Sequence, residues 1–402
     1  MLIKPKSYNI DTPKSRKRPV VVVILVITLF VVAGMLAYIK YLGKPKQVYT
    51  NNQNEVNTHE GEVVVGKYLF SGTVVLDRAV QRDSNGDYSQ PFSGLNSFTP
   101  DQYDGWLVDL ECPVTAKKTA MEQQSVNTVF NCDTEWLEPM SKYFNFINLA
   151  NNHTNDMGKQ GLLETQTNLD KARYQIVGNY DPAVSQDACE VMSLPVHITS
   201  TGSKDSKQGN LPVAFCAFHY FSRQPKVGEM DVVKSYSELM PVFGFMHAGQ
   251  EYLPIAGIDQ QNVAHSLIDL DSEFVIGNSP HWVQNSEVYK GRPIFYSTGN
   301  FIFDQLTDET NRGLSLDIEM SVQNDQNVSR WLELGKECLK RGDNCLQQAK
   351  YRGLIKPKLK LKYTPIASVG GARTVTTKAG NDVQKAVEER LNWSQTKAQL
   401  GQ

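Results

Sequence analysis

Five short groups of carboxylates, amides and imidazoles stand at the ends of apolar runs. They are Asp109 and Glu111, then Asn151, Asn152 and His153, then His247, then Asn278 and His281, then Ser297 and Asn300. Carboxylate, amide oxygen and imidazole are the donors that a borderline divalent metal such as Zn, Mn or Fe selects. Any one of these residues alone reads as a cap or a turn. Five groups at matching positions predict one shared cleft, because ligands of an α/β sheet bind outside the carboxyl ends of its strands. The other histidines lack such a setting: His59 falls in a polar linker, and His197, His219 and His265 read as surface or hydrogen-bonded core residues.

The elements that must carry these groups alternate between β-rich and helical patterns. Strands are predicted over residues 63–76, 105–111, 144–150, 212–218, 241–247, 273–278 and 292–304. Helices are predicted over 134–144, 158–174 and 259–271. Two further strands, 313–322 and 358–368, and helical stretches near 331–350 and 382–393 complete the same domain. The alternation indicates an α/β class with a largely buried sheet.

Length and charge narrow the function. The chain has 402 residues, with 41 Lys+Arg against 43 Asp+Glu, a formal charge of -2. A nucleic-acid binder built on a basic surface is excluded. A hydrophobic content of 40% supports a packed core, and Gly and Pro follow no period. Pro19 to Ile39 is uncharged and long enough for the ~20 residues of a membrane span. Lys4, Lys6, Lys14, Arg16, Lys17 and Arg18 precede it, opposed by Asp11, so residues 1–18 are placed in the cytoplasm and the rest outside. The run is long for a signal-peptide core and no small-x-small site follows it cleanly, which favours a retained anchor over a cleaved signal. Residues 40–62 form a linker, 63–395 the outer domain and 396–402 a frayed tail. The six cysteines, none in a CxxC pair, suit disulfides outside the cytoplasm. Cys338–Cys345 is sequence-local and Cys112–Cys132 is reasonable, leaving Cys189–Cys216, although other connectivities remain open.

DLECPVT (Asp109–Thr115), LANNHTNDMGKQGLLETQTNL (Leu149–Leu169), HAGQEY (His247–Tyr252), FVIGNSPHWVQ (Phe274–Gln284) and IFYSTGNFIFD (Ile294–Asp304) resemble the motifs of the CapA-type capsule-synthesis family. That family is associated with poly-gamma-glutamate capsules and related to calcineurin-like metallophosphoesterases. The resemblance implies a metallophosphoesterase-like αββα sandwich outside the cell, tethered by the single N-terminal helix. It also implies roles. Glu111 takes the bridging-carboxylate position, Asn152 the amide-ligand position, and His247 and His281 ligand positions. His153 stands where a phosphoesterase places its transition-state-stabilising, catalytic histidine. Asn278 and Ser279 replace imidazoles of the family's GHHPH.

The first motif departs most. Where the family reads GD, this chain reads GT, so Thr73 occupies the metal-binding Asp position while Arg78 is retained. Asp77 cannot substitute: four residues along a strand put it ~13 Å away, against metal–oxygen bonds of ~2.0–2.2 Å. Glu111, Asn152, His247 and His281 leave room for one metal or none, and not for two.

The resemblance therefore implies a cell-membrane, extracytoplasmic component of capsule or poly-gamma-glutamate biosynthesis or export. Its partners would be an anionic polymer or a capsule-synthesis membrane complex, not nucleic acid. Arg78, Asp109, Asn151, Asn278, Ser297 and Asn300 would line the substrate cleft. The alternatives are a single-metal hydrolase of a phosphoester or amide and a non-catalytic surface domain.

Overall fold

The computed structural model describes residues 61–117, 128–200, 206–305, 307–340, 342, 344–371 and 374–402. The predicted tail, span and nearly all of the linker, with His59, lie outside them. Among the described residues no helix is long and apolar enough to cross a membrane.

In chain order the strands are β1 (Glu62–Val74), β2 (Gly105–Leu110), β3 (Phe146–Asn148), β4 (Gln175–Val177), β5 (Cys189–Ser200), β6 (Ser206–His219) and β7 (Val242–His247). Then come β8 (Phe274–Asn278), β9 (Ser286–Tyr289), β10 (Arg292–Phe295), β11 (Asn300–Ile302), β12 (Arg312–Gln323), β13 (Lys360–Gly370) and β14 (Thr376–Lys378). They make a mixed sheet that branches at β1. The first half of β1 pairs antiparallel with β12 and β5, while its end pairs parallel with β2 and β11. One limb continues in parallel through β2, β3 and β4. On the other, β6, β7, β8 and β10 run parallel. The parallel strands FVIGN and VFGFMH are buried along their whole length, as strands covered on both faces must be.

Side-chain alternation explains why β1 is apolar throughout. Tyr68 and Phe70 enter one core, and Leu69 and Val74 enter a second on the opposite face. Phe70 and Phe146 reach Phe215 of the other limb, with ring centroids 5.8 and 5.7 Å apart. The second core gathers Trp106, Trp136, Phe144 and Phe301. Outer helices cover the limbs through apolar stripes: Gly158–Lys171 buries Leu162, Thr165 and Leu169 at helical spacing. Both cores belong to the compact unit Asn57–Gln402, which therefore contains what it needs to fold by itself.

The predicted strand 292–304 is two strands, β10 and β11, and three further features differ from the sequence expectation. Residues 396–402 are not frayed: a helix spans Trp393–Leu400, and the Gln402 amide bonds Tyr363 N at 3.0 Å and Leu361 O at 2.9 Å. The stretch near 331–350 is two helices, Gln326–Gly335 and Cys345–Tyr351, because Asp325 caps the first and the Cys338–Cys345 bridge closes the turn between. Residues 189–200, read as no element, form β5, the long partner of β6.

The cysteines pair as Cys112–Cys132, Cys189–Cys216 and Cys338–Cys345, with none free. Cys189 and Cys216 face each other across the β5–β6 register, 4.1 Å apart at Cα. Protein denatured without reductant should show no reactive thiol. Replacing Cys189 and Cys216 by Ala should cost roughly 3–4 kcal/mol of unfolding free energy in urea titration, the chain-entropy value for a loop of this size.

Candidate functional site

Strand register lines the polar groups up in two rows. On one limb Thr73 is level with Asp109 and with Asn300, and Asp109 with Asn148. On the other, His219, His247 and Asn278 are level. The rows meet where His247 Nδ1 approaches Asp109 Oδ2 at 3.1 Å, both side chains being essentially fully buried. Asp109 Oδ1 accepts from Asn151 Nδ2 at 3.0 Å. A carboxylate so placed fixes the imidazole tautomer: with the proton assigned to Nδ1, Nε2 presents its lone pair. That Nε2 lies 3.6 Å from Glu111 Oε1, and Glu111 Oε2 is buried with no hydrogen-bond partner.

Two more histidines are held from behind. His281, at φ 58° just after Ser279 at φ 104°, accepts a strained backbone typical of functional positions. Its Nδ1 contacts Asn300 Oδ1 at 2.9 Å, its Nε2 lies 3.6 Å from Glu251 Oε1, and its ring stacks on Tyr252. Burial opposes its charged form, but the nearby carboxylates of Glu251 and Glu111 win, so its pKa is raised. The same contact lowers the pKa of Glu251. His153 Nδ1 is 2.7 Å from Asp156 Oδ2, and its ring lies against Phe130. Here too burial is outweighed, by Asp156 and by the Glu111 charge, and the pKa rises. Asn152 Oδ1 is buried without a partner.

The residues expected to line a substrate cleft behave otherwise. Asp109, Asn151, Asn278, Ser297 and Asn300 are buried and bonded to one another's neighbourhood rather than presented to a ligand. Asn151 donates to Asp109 and Leu110 O and accepts from His153 N and Thr154. Asn278 Oδ1 accepts from Thr298 Oγ1, and Ser297 Oγ accepts from Gly299 N. Asn300 Nδ2 donates to Gln305 Oε1 and Thr310 O. At crowded strand ends, polar groups satisfy each other before they satisfy a substrate. Arg78 is partly open, yet its guanidinium is paired with Asp304 and faces the Phe130 ring. Asp77 caps the helix Arg78–Ser84 and accepts from Asn131 N at 2.6 Å, a structural role. Two cavities, of about 530 and 380 Å³, open elsewhere, around Lys67 and Lys360 and around Tyr103 and Tyr143.

Sequence reasoning missed Glu251 and Tyr252, although both lie in HAGQEY just past His247, and it missed Asp156 and Asp304. His219 was read as a core histidine. It is buried and its Nδ1 donates to Tyr180 O, yet it sits beside His247, ring centroids 5.9 Å apart, with Nε2 lacking any partner. Burial first, and then the neighbouring His247, push its pKa down to about 4. The signal was available: FCAFHY ends in a histidine just as VFGFMH does.

Among the described residues no three or more His, Cys, Asp or Glu side chains gather as a ligand set. Glu111 Oε2 and Asn152 Oδ1 are buried without a partner, and carboxylate and amide oxygens are donors that a divalent cation selects.

A mixed α/β protein with a histidine–carboxylate junction at its strand ends is thereby defined. Residues 67–305 match the sequence profile of the bacterial capsule synthesis protein family PGA_cap, and the chain belongs to that family. It is 26% identical over 272 residues to the PGA biosynthesis protein CapA of Bacillus subtilis, covering 62% of this chain and 66% of that one. It is 30% identical over 176 residues to the capsule biosynthesis protein CapA of Bacillus anthracis, covering 40% and 41%. The matches thus span just under two thirds of the first relative's length and less than half of the second's. Among solved structures, a Mycoplasma pneumoniae phosphatase aligns with a TM-score of 0.39 at 12% identity, over 80% of this chain and 96% of that one.

Asp109→Ala would strand the His247 and Asn151 donors in the interior, and urea unfolding should show a loss of about 3 kcal/mol. A raised histidine pKa stabilises the fold below the unfolded value of 6.5 and ceases to do so as pH rises through the folded value. His219, lowered to about 4, acts oppositely, losing stability as pH falls below 6.5. Glu251→Gln isolates the first effect: in metal-free protein, the stability that Glu251 confers near pH 6 should vanish above the folded His281 pKa, as read by urea unfolding across that range.

Proposed function

We propose that this chain is a membrane-tethered, extracytoplasmic component of capsule or poly-gamma-glutamate biosynthesis or export, on a metallophosphoesterase-like αββα sandwich. Its strand-end site binds an anionic polymer or the polymer's end, with at most one Mn, Zn or Fe ion, and does not run two-metal phosphoryl chemistry. The uncharged run Pro19–Ile39 supports the tether. Family membership supports the capsule role.

The observation that carries the degenerate-site reading is the position of Thr73. It stands level with Asp109 and Asn300, where a metal-binding carboxylate would have to be, and Asp109 is engaged by His247 and Asn151. Glu111 is the one carboxylate at the junction with an unsatisfied oxygen. Two cations ~3.5–4 Å apart need more anionic charge than that.

The residues themselves do the following. Asp109 holds His247 in one tautomer, and Asn300 and Glu251 orient His281. His153 and His281, whose charged forms are favoured by Asp156, Glu251 and Glu111, are the groups that would meet an incoming carboxylate or phosphate. A second reading, a single-metal hydrolase of a phosphoester or amide, is favoured by the orphaned oxygens of Glu111 and Asn152. A bound cation would supply a Lewis acid and a water of lowered pKa. His153, braced at Nδ1 by Asp156, would keep Nε2 for the developing charge.

Metal analysis of the purified chain after dialysis against Mn or Zn tests both readings. No more than one metal per chain is expected, reduced by Glu111→Ala or His247→Ala, and Thr73→Asp should raise the stoichiometry. Two metals in the wild type would overturn the degenerate-site reading. No metal, with no cleavage of a generic phosphodiester or of poly-gamma-glutamate, would eliminate the hydrolase. Calorimetric binding of poly-gamma-glutamate separates the polymer reading from a non-catalytic surface domain.

A further inference from the structure

A second charged feature lies far from this site in sequence. Between Lys336 and Lys362 the chain carries nine Lys or Arg and two Asp or Glu, in a protein whose total charge is -2. Much of this charge is neutralised locally. Arg352 pairs with Glu337 at 2.6 Å, Lys356 with Asp271 at 2.8 Å and Lys362 with Glu319 at 3.3 Å. Lys350, Lys358 and Lys360 are exposed and make no ion pair among the described residues.

Among these lysines stand two of the most exposed apolar side chains of the described chain, Tyr351 at 89% and Ile355 at 71%. Their exposure is built in, not a frayed end. Ile355 N accepts no freedom: it donates to Asn327 Oδ1 at 2.9 Å, and Ile355 O accepts from Trp331 Nε1 at 2.8 Å. Leu354, one residue earlier, is buried, so the backbone turns Ile355 outward. The Cys338–Cys345 bridge ties the helix ending at Tyr351 to the preceding one.

We propose that this segment docks on an anionic lipid surface, with Tyr351 and Ile355 entering the headgroup–acyl boundary and Lys350, Lys358 and Lys360 facing anionic headgroups. Apolar side chains interleaved with lysines suit a bilayer interface, where the lysine stems lie along the apolar zone and the ammonium groups reach the headgroups. A soluble polycarboxylate offers nothing to Tyr351 and Ile355. It would be better gripped by arginine forks, and Arg352 already holds Glu337.

The test uses the compact unit, residues 57–402, in co-sedimentation with vesicles of phosphatidylcholine alone or with one-third phosphatidylglycerol. Binding should be about tenfold stronger to the anionic vesicles and fall with added salt. The triple variant Lys350→Glu, Lys358→Glu, Lys360→Glu should lose that preference. The pair Tyr351→Ser, Ile355→Ser should weaken binding about fivefold, with circular dichroism unchanged because all five side chains are exposed. Equal binding to both vesicle types, or vesicle binding untouched by the Tyr351 and Ile355 changes, overturns the proposal. So does capture of soluble poly-gamma-glutamate through the same lysines without vesicle binding, which would assign the surface to the polymer. None of these outcomes depends on the strand-end site.

Discussion

At Gly72 the backbone of β1 passes so close to Gly299 that an added Cβ would lie 2.1 Å from its carbonyl oxygen. Thr73 N donates to that same oxygen at 3.1 Å, and Val75 N then donates to Ile302 O at 2.9 Å. This contact is where β1 passes from β12, its partner as far as Phe70, to β11, which it meets from Thr73 onward. A side chain at position 72 would push the two backbones apart and break the level row of Thr73, Asp109 and Asn300. With the row broken, Asp109 would no longer meet His247 from the opposite limb, and the junction of the two parallel limbs would lose its link.

The junction divides its polar groups into two kinds. Asp109, Asn151 and Asn300 are saturated by one another's surroundings and by backbone, which makes them a rigid frame. Glu111 Oε2, Asn152 Oδ1 and His219 Nε2 are buried and unmatched. Burying an unmatched polar atom costs about 1–3 kcal/mol, so a fold that keeps three of them side by side with its histidines gives up stability there. Arg78, Tyr252, Ser279 and His281 add positive-φ backbone around the same place. Unmatched atoms and positive-φ backbone thus gather at one spot, framed by a saturated network, a combination that the proposed ligand site accounts for.

Much of this was legible in the sequence, and the gaps have physical causes. Polar residues at the ends of apolar runs marked the correct strand ends because parallel strands buried on both faces read as unbroken apolar stretches, which VFGFMH and FVIGN are. β5 was invisible because its sequence, CEVMSLPVHITS, is only partly buried and contains Pro195, so it shows neither steady alternation nor a continuous apolar run. The cysteine pairs followed from proximity in two cases and from elimination in the third, and the β5–β6 register supplies the physical reason for it. Roles within the site were the least legible part. Spacing identifies a carboxylate at a strand end, but only partners distinguish Asp109, which braces a histidine, from Glu111, which keeps an oxygen unmatched.

On the proposed reading, that distinction bears on how a strand end can keep its architecture with Thr73 where the family resemblance expects an aspartate. Two divalent cations 4 Å apart repel by roughly 17 kcal/mol even at an effective dielectric of about 20. Only anionic ligands between and around them offset a term of that size. On that reading, Thr73 stands where one such charge would be, and Asp109 is engaged by His247 and Asn151. Yet threonine is a good strand residue, β-branched and close in size to aspartate. At position 73 it preserves the pairing of β1 with β2 and β11 and avoids a buried carboxylate without a counter-charge. On the same proposed reading, such a change costs the fold little and a second metal nearly everything, which is how the strand-end architecture would outlast two-metal chemistry.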